Sequence, residues 1–172
     1  MSVAGATAAG RRRSSARVAM VGAGQLARMT YQAALDLEVD MTVLAGSARD
    51  SAVLAGAPHV LGSPANVTDL LAVAKGSDVV TFDHELVPNA SLVELERSGH
   101  RLRPGPHALR FAQDKIAART ELSRAGLPVP PFAPVRSAQD VERFAERHGW
   151  PLVVKSARGG YAGISKSAVF ME

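Results

Sequence analysis

Short apolar runs alternate with helix-spaced apolar positions over the first two thirds of the chain. Arg17-Val18-Ala19-Met20-Val21, Met41-Thr42-Val43-Leu44-Ala45, His59-Val60-Leu61-Gly62 and Asp78-Val79-Val80-Thr81-Phe82 are too short for helices and read as buried strands. After the first run, Leu26, Met29, Ala33 and Leu37 recur at helical spacing and predict an amphipathic helix that lays this face on a sheet. Residues 47–57 predict a loop with a short helix. Asn66 predicts the cap of a helix through Leu70, Leu71 and Ala74 that stops at Lys75-Gly76, and 88–98 predicts another helix, with Leu92 and Leu95 inward. Strands alternating with helices at this spacing predict an α/β fold with a parallel, doubly wound sheet.

The pattern changes beyond Arg103-Pro104-Gly105-Pro106, which reads as a loop. A charged helix over 114–125, ended by Gly126, leads into Leu127-Pro128-Val129-Pro130-Pro131-Phe132, an extended linker because proline there cannot continue a helix. Ser137-Ala138-Gln139-Asp140 resembles a capping box and opens a helix with Val141, Phe144 and Ala145 inward, ended by Gly149. Trp150-Pro151-Leu152-Val153-Val154-Lys155 then reads as a strand. The chain divides into a leader over 1–16, an α/β domain over 17–112, and a linker with a second, incomplete unit over 113–172. That second piece is expected to lean on the first domain or to fray, because one helix and one or two strands bury little core.

Charge changes the picture at one end only. Lys plus Arg is 20 against 16 for Asp plus Glu, but Arg11, Arg12, Arg13 and Arg17 sit in a leader without acids, and without them the signs balance. The folded body therefore gives no support to a nucleic-acid partner. The leader reads as a disordered extension or an over-early start, with an organelle transit peptide as the alternative. There is no Cys, and the five His are scattered without metal-ligand spacing, so no metal site is expected and a cytoplasmic setting fits. No apolar run is long enough to cross a bilayer, and no membrane partner is expected.

Two stretches suggest chemistry. Gly22-Ala23-Gly24-Gln25-Leu26-Ala27 follows the first strand and opens the first helix, where glycines permit a tight turn and close approach of an anion to a helix N-terminus. It is either a phosphate seat or a packing device. Lys155 closes an apolar strand ahead of Ser156-Ala157-Arg158-Gly159-Gly160-Tyr161-Ala162-Gly163. It is either a charge held at nucleotide phosphates beneath a flexible loop, or a solvent-facing lysine on an edge strand before a hairpin. The glycine turn also admits a nicotinamide-dependent oxidoreductase, against which stands Ala45-Gly46-Ser47, where an acidic residue for the ribose is expected.

Five segments in order resemble one family: Gly22 to Met29, Thr81-Phe82-Asp83-His84-Glu85, Leu102 through Lys115, Gly126-Leu127-Pro128-Val129-Pro130, and Val153-Val154-Lys155 with Gly159-Gly160-Tyr161. Together they are similar to the ATP-grasp N5-carboxyaminoimidazole ribonucleotide synthases, over roughly residues 17–163. The resemblance implies ATP-dependent carboxylation of aminoimidazole ribonucleotide with bicarbonate in purine synthesis, a pre-ATP-grasp domain followed by the start of an ATP-grasp domain, ATP and Mg2+, and a possible homodimer. It implies that Arg110, Lys155, Gly160, Tyr161 and Gly163 serve ATP, and that Gly22, Gly24, Gln25, Leu26 and Glu85 serve the ribonucleotide. Two departures stand against it. Ala162 occupies the place of the family's aspartate in the glycine loop, and the chain ends at Glu172, where 166–172 no longer resembles the family. A truncated, inactive form, from a frameshift or stop near residue 162, is the expectation; a non-catalytic ligand-binding fragment is the alternative.

Overall fold

The computed structural model describes residues 15–159 and 167–171. The leader residues before 15 and the loop positions Gly160, Tyr161 and Gly163 lie outside them. Four strands, β1 (Arg17–Val21), β2 (Asp40–Ala45), β3 (His59–Leu61) and β4 (Val79–Phe82), form one sheet in the order β3-β2-β1-β4. All pairings are parallel. Helices α1 (Gln25–Asp36) and α2 (Ser51–Leu54) cover one face; α3 (Val67–Ala74), α4 (Asn89–Arg97) and α5 (Pro106–Gln113) cover the other. This is the doubly wound α/β arrangement that the alternation of strands and helices predicts.

The two faces are packed differently. Against α3, α4 and α5 the sheet buries Val21, Leu44 and Val80 under Leu70, Val73, Leu92, Leu95 and Leu109. Against α1 and α2 it buries Met20, Met41 and Val43 under Ala23, Ala27, Ala34, Ala52 and Ala57. The predicted inner face of α1 is therefore wrong. Leu26 is 62% and Leu37 73% exposed, and Met29 and Ala33 are exposed too. The helix instead turns Ala27, the partly buried Tyr31 and Ala34 to the sheet, a second stripe at helical i, i+4, i+7 spacing in which alanines flank one tyrosine. Small side chains let the helix come close, and Tyr31 reaches across to donate its hydroxyl to Gly56 O at 3.2 Å.

The domain is tied at the strand starts, where Asp78 accepts from the Arg17 backbone N–H (2.8 Å) and guanidinium (3.1 Å). Asn66 caps α3 as expected, its side chain accepting from Thr68 N–H at 2.9 Å. The segment read as a loop through Pro106 is corrected at its end. Pro106 is the first residue of α5, a position where proline loses no helical hydrogen bond.

Beyond α5, α6 (Lys115–Arg124) is capped by Asp114, whose carboxylate accepts from Ile116 and Ala117 N–H at 3.0 Å each. A second, antiparallel sheet follows in the order β5-β7-β6, from β5 (Phe132–Val135), β6 (Leu152–Ser156) and β7 (Ser167–Met171), with α7 (Ala138–His148) packed beside it. Phe132, read as linker, begins β5. The capping box at Ser137 and Asp140 is present, and Phe144 and Ala145 are buried as expected. A small core of Val135 and Phe144, with Ala133, Val141 and Leu152 against it, holds this unit.

A neck joins the two sheets. Lys115 N–H donates to Ala157 O at 2.9 Å, and Arg158 Nε donates to Asp114 Oδ2 at 2.8 Å. The turn after β6 is thus tied to the start of α6.

Candidate functional site

The parallel register puts Val21 opposite Phe82, so the residues that follow, Gly22 and Asp83, meet at the carboxyl edge of the sheet. That edge is where open α/β sheets bind ligands. Gly22 holds φ +111, which side-chain-bearing residues avoid, and its N–H donates to Leu44 O at 3.1 Å. Asp83 N–H donates to Val21 O at 3.1 Å, and the Asp83 side chain turns back over the glycines. Its Oδ2 accepts from Gly24 N–H at 3.1 Å. A Cβ built on Gly22 would lie 1.6 Å from Asp83 Oδ1. The glycine turn makes room for a carboxylate of the chain itself, an arrangement that suits the packing reading of the turn.

Gly24 is the N-cap of α1 and no side chain of its own caps the helix, so Asp83 supplies negative charge to the positive end of that helix. The Asp83 side chain is only 5% exposed, and its Oδ1 is buried without a hydrogen-bond partner. His84 Nδ1 accepts from Leu86 N–H at 3.1 Å, which leaves the ring proton on Nε2, 3.7 Å from Asp83 Oδ1. Of the other turn residues, Gln25 Oε1 accepts from Ser51 Oγ at 3.1 Å, and Leu26 points to solvent.

The loop after β4 carries Glu85 into a cleft of about 280 Å³, lined by residues 85–89, Gln113, Arg158 and Gly159. Gln113 Nε2 shapes this loop by donating to Glu85 O (3.0 Å) and Val87 O (2.8 Å). Arg158 brings positive charge to the same cleft, anchored on Asp114. Burial pushes the Asp114 carboxyl up, but the Ala117 N–H, Arg158 and the Ile116 N–H together outweigh it and hold the group below its ordinary value.

The other candidate residues fall apart from this cluster. Arg110 lies on α5 with its guanidinium paired to Glu121 of α6, and its Nε is buried without a partner. Lys155 occupies an exposed position on β6, which is an edge strand of its sheet. Among the described residues no three His, Asp or Glu side chains converge as metal ligands.

Asp83, Gln113 and Arg158 are the site residues that sequence reasoning passed over. Asp83 was within reach, because pairing the first and fourth strands side by side sets it against Gly22. Gln113 owes its place to the docking of α5 beside the loop after β4 and Arg158 to the neck, and no local pattern announces either.

Fold and site together define an open α/β domain with its ligand edge at a glycine turn, followed by the opening of a second, antiparallel sheet. A family model for the ribonucleotide synthetase preATP-grasp domain matches residues 15–113. The N5-carboxyaminoimidazole ribonucleotide synthase of Mycobacterium bovis is 47% identical over 146 residues, covering 85% of this chain and 34% of the relative. That of Corynebacterium ammoniagenes is 44% identical, covering 85% and 35%. The crystal structure of the Aspergillus clavatus N5-carboxyaminoimidazole synthase in complex with ADP and 5-aminoimidazole ribonucleotide superposes with a TM-score of 0.77 at 25% identity, covering 91% of this chain and 46% of that one. The chain belongs to the ribonucleotide synthetase preATP-grasp family, and its similarity runs to the N5-carboxyaminoimidazole ribonucleotide synthases. It spans about a third of the length of the curated relatives it matches. The oxidoreductase alternative finds no support: β2 ends at Ala45 without an acid, and Asp50 is occupied with Ser47 N–H at 3.1 Å. No helix among the described residues is long and apolar enough to cross a membrane.

Proposed function

We propose that this chain forms the ribonucleotide-binding part of an ATP-dependent, cytoplasmic N5-carboxyaminoimidazole ribonucleotide synthase, with 17–112 as its pre-ATP-grasp domain and 113–172 as linker and the start of an ATP-grasp domain. The observation that carries this reading is the cleft at the carboxyl edge of the parallel sheet, where Glu85 from one unit faces Arg158 and Gly159 from the other. A carboxylate beside a guanidinium suits a ligand that carries both an amine and an anionic group. Gln113 sets the backbone at Glu85, and the reading assigns Gly22, Gly24, Gln25 and Leu26 to the ribonucleotide as well.

For ATP the reading assigns Arg110, Lys155, Gly160, Tyr161 and Gly163. Lys155 would draw the phosphates as a point charge, whereas Arg110 must first exchange Glu121 for the nucleotide. Mg2+ is the metal expected to accompany ATP, but the described residues do not form a cradle for it. Their work is binding and orientation: they hold the ribonucleotide amine in place and keep one wall of the site dry. The exposed α1 stripe of Leu26, Met29 and Leu37 supports a homodimer, which sedimentation of the wild type against Leu37→Lys tests.

The test is calorimetric titration of the chain with 5-aminoimidazole ribonucleotide. Binding is expected, weakened about tenfold or more by Glu85→Gln. Absence of binding, or an affinity indifferent to Glu85 and to Arg158→Ala, would overturn the reading. In an assay with ATP, magnesium, bicarbonate and the ribonucleotide, the described residues alone predict binding without phosphate release, and release lost in Lys155→Ala would show a complete site.

A further inference from the structure

The glycine turn and α1 look like a phosphate site, yet the space is taken. Gly24 N–H, at the positive end of a 12-residue helix, already serves Asp83 Oδ2, and Asp83 Oδ1 lies where a Cβ on Gly22 would be. The carboxylate is not a passing visitor. Its side chain is 5% exposed, its backbone N–H is bonded to Val21 O, and the His84 ring closes over it at 3.7 Å. A phosphate approaching Gly24 would have to displace this group or sit beside it, like charge against like charge in a partly dry site.

We propose that Asp83 is a specificity-determining residue that reserves the N-terminus of α1 and closes it to phosphate, so that a bound ribonucleotide places its phosphate elsewhere and meets this turn only with uncharged groups. The point about the ribonucleotide rests on the function proposed above; the closure does not. A neighbouring residue supports the division of labour. Arg158 lines the cleft that holds Glu85, a cleft to which the turn residues do not contribute, so positive side-chain charge is available away from the turn.

The experiment uses inorganic phosphate as the probe, so its outcome is independent of whether the ribonucleotide binds. Amide spectra of the full chain are recorded with phosphate up to tens of millimolar. In the wild type the Gly24 and Gln25 amides are expected to stay in place. In Asp83→Ala they are expected to shift saturably, with an apparent affinity at least about tenfold tighter than any wild-type response. A saturable shift of these amides in the wild type, equal to that of the variant, would overturn the proposal. If the variant fails to fold, the wild type still decides the matter through the scalar coupling across the hydrogen bond from Gly24 nitrogen to the Asp83 carboxyl carbon. Coupling that persists in phosphate supports closure, and coupling that is absent or abolished by phosphate refutes it.

Discussion

Gly22 and Gly24 sit two residues apart in the same turn and make opposite demands. Alanine at Gly22 must hold φ +111 and would drive its methyl into the Asp83 carboxylate. The expected loss is about 3 kcal/mol or more. Alanine at Gly24 keeps an ordinary backbone and meets Asp83 Oδ2 at 3.5 Å, so its loss should stay below about 1 kcal/mol. Urea midpoints of the two variants check this, and equal losses would mean that Asp83 does not fill the turn. Among the described residues, three carboxyls are held below their ordinary range. Asp78 is held low by the Arg17 guanidinium and backbone; Asp114 is lowered as described above. Asp140 is taken from its ordinary 3.8 to about 2 by the Arg136 N–H, Arg143 and Ser137. Each binds its proton more weakly in the folded chain than in the unfolded one, so unfolding takes up protons. Their contribution is therefore complete above about pH 4 and lost as the pH falls toward 2. Asp140→Asn should flatten the melting temperature across that window while leaving its slope above pH 5 unchanged.

Among the elements, α1 shows where pattern reading stops. Two apolar stripes share that helix, one of large residues and one of alanines, and the larger stripe is the one a hydrophobicity argument selects. Contact distance decided otherwise, since the crossing from β1 through a two-glycine turn brings the helix too close for leucine. Ala27→Leu should accordingly cost about 2 kcal/mol or more by overpacking, whereas Leu26→Gln should stay within about 0.5 kcal/mol. Thermal melts of the two variants separate the faces, and the reverse order would restore the predicted one. The strands of the parallel sheet were legible because each is a compact apolar run bounded by turn residues. Segment β5 was not, because Pro134 argues against a strand, yet proline is admissible on an edge and β5 is one. Segment β7 is central only through partners distant in sequence. At α7 the local code sufficed: Ser137 and Asp140 cap each other's backbone, and Ser137→Ala should cost about 1 kcal/mol.

At the scale of the whole molecule the described core is unevenly shared. Two extensive clusters lie in the parallel domain, and one built on Val135 and Phe144 lies in the second unit. Amides of Val79 and Val80 should therefore exchange more slowly than those of Leu152 and Val153, and equal protection would show the two sheets to fold as one body. Asp114 and Arg158 are bonded directly across the neck, so Asp114→Ala and Arg158→Ala should be non-additive in a double-mutant cycle. The unequal packing of the parallel sheet's two faces has a further result. Peeling α1 and α2 away uncovers alanines on the helices and Met20, Met41 and Val43 on the sheet, whereas lifting α3 and α4 uncovers leucine and valine on both sides. Denaturant acts in proportion to newly wetted surface. The same sheet should thus open by two routes with different urea sensitivity: a shallower one on the side of α1 and α2, and a steeper one on the leucine side that gains on it as urea is added.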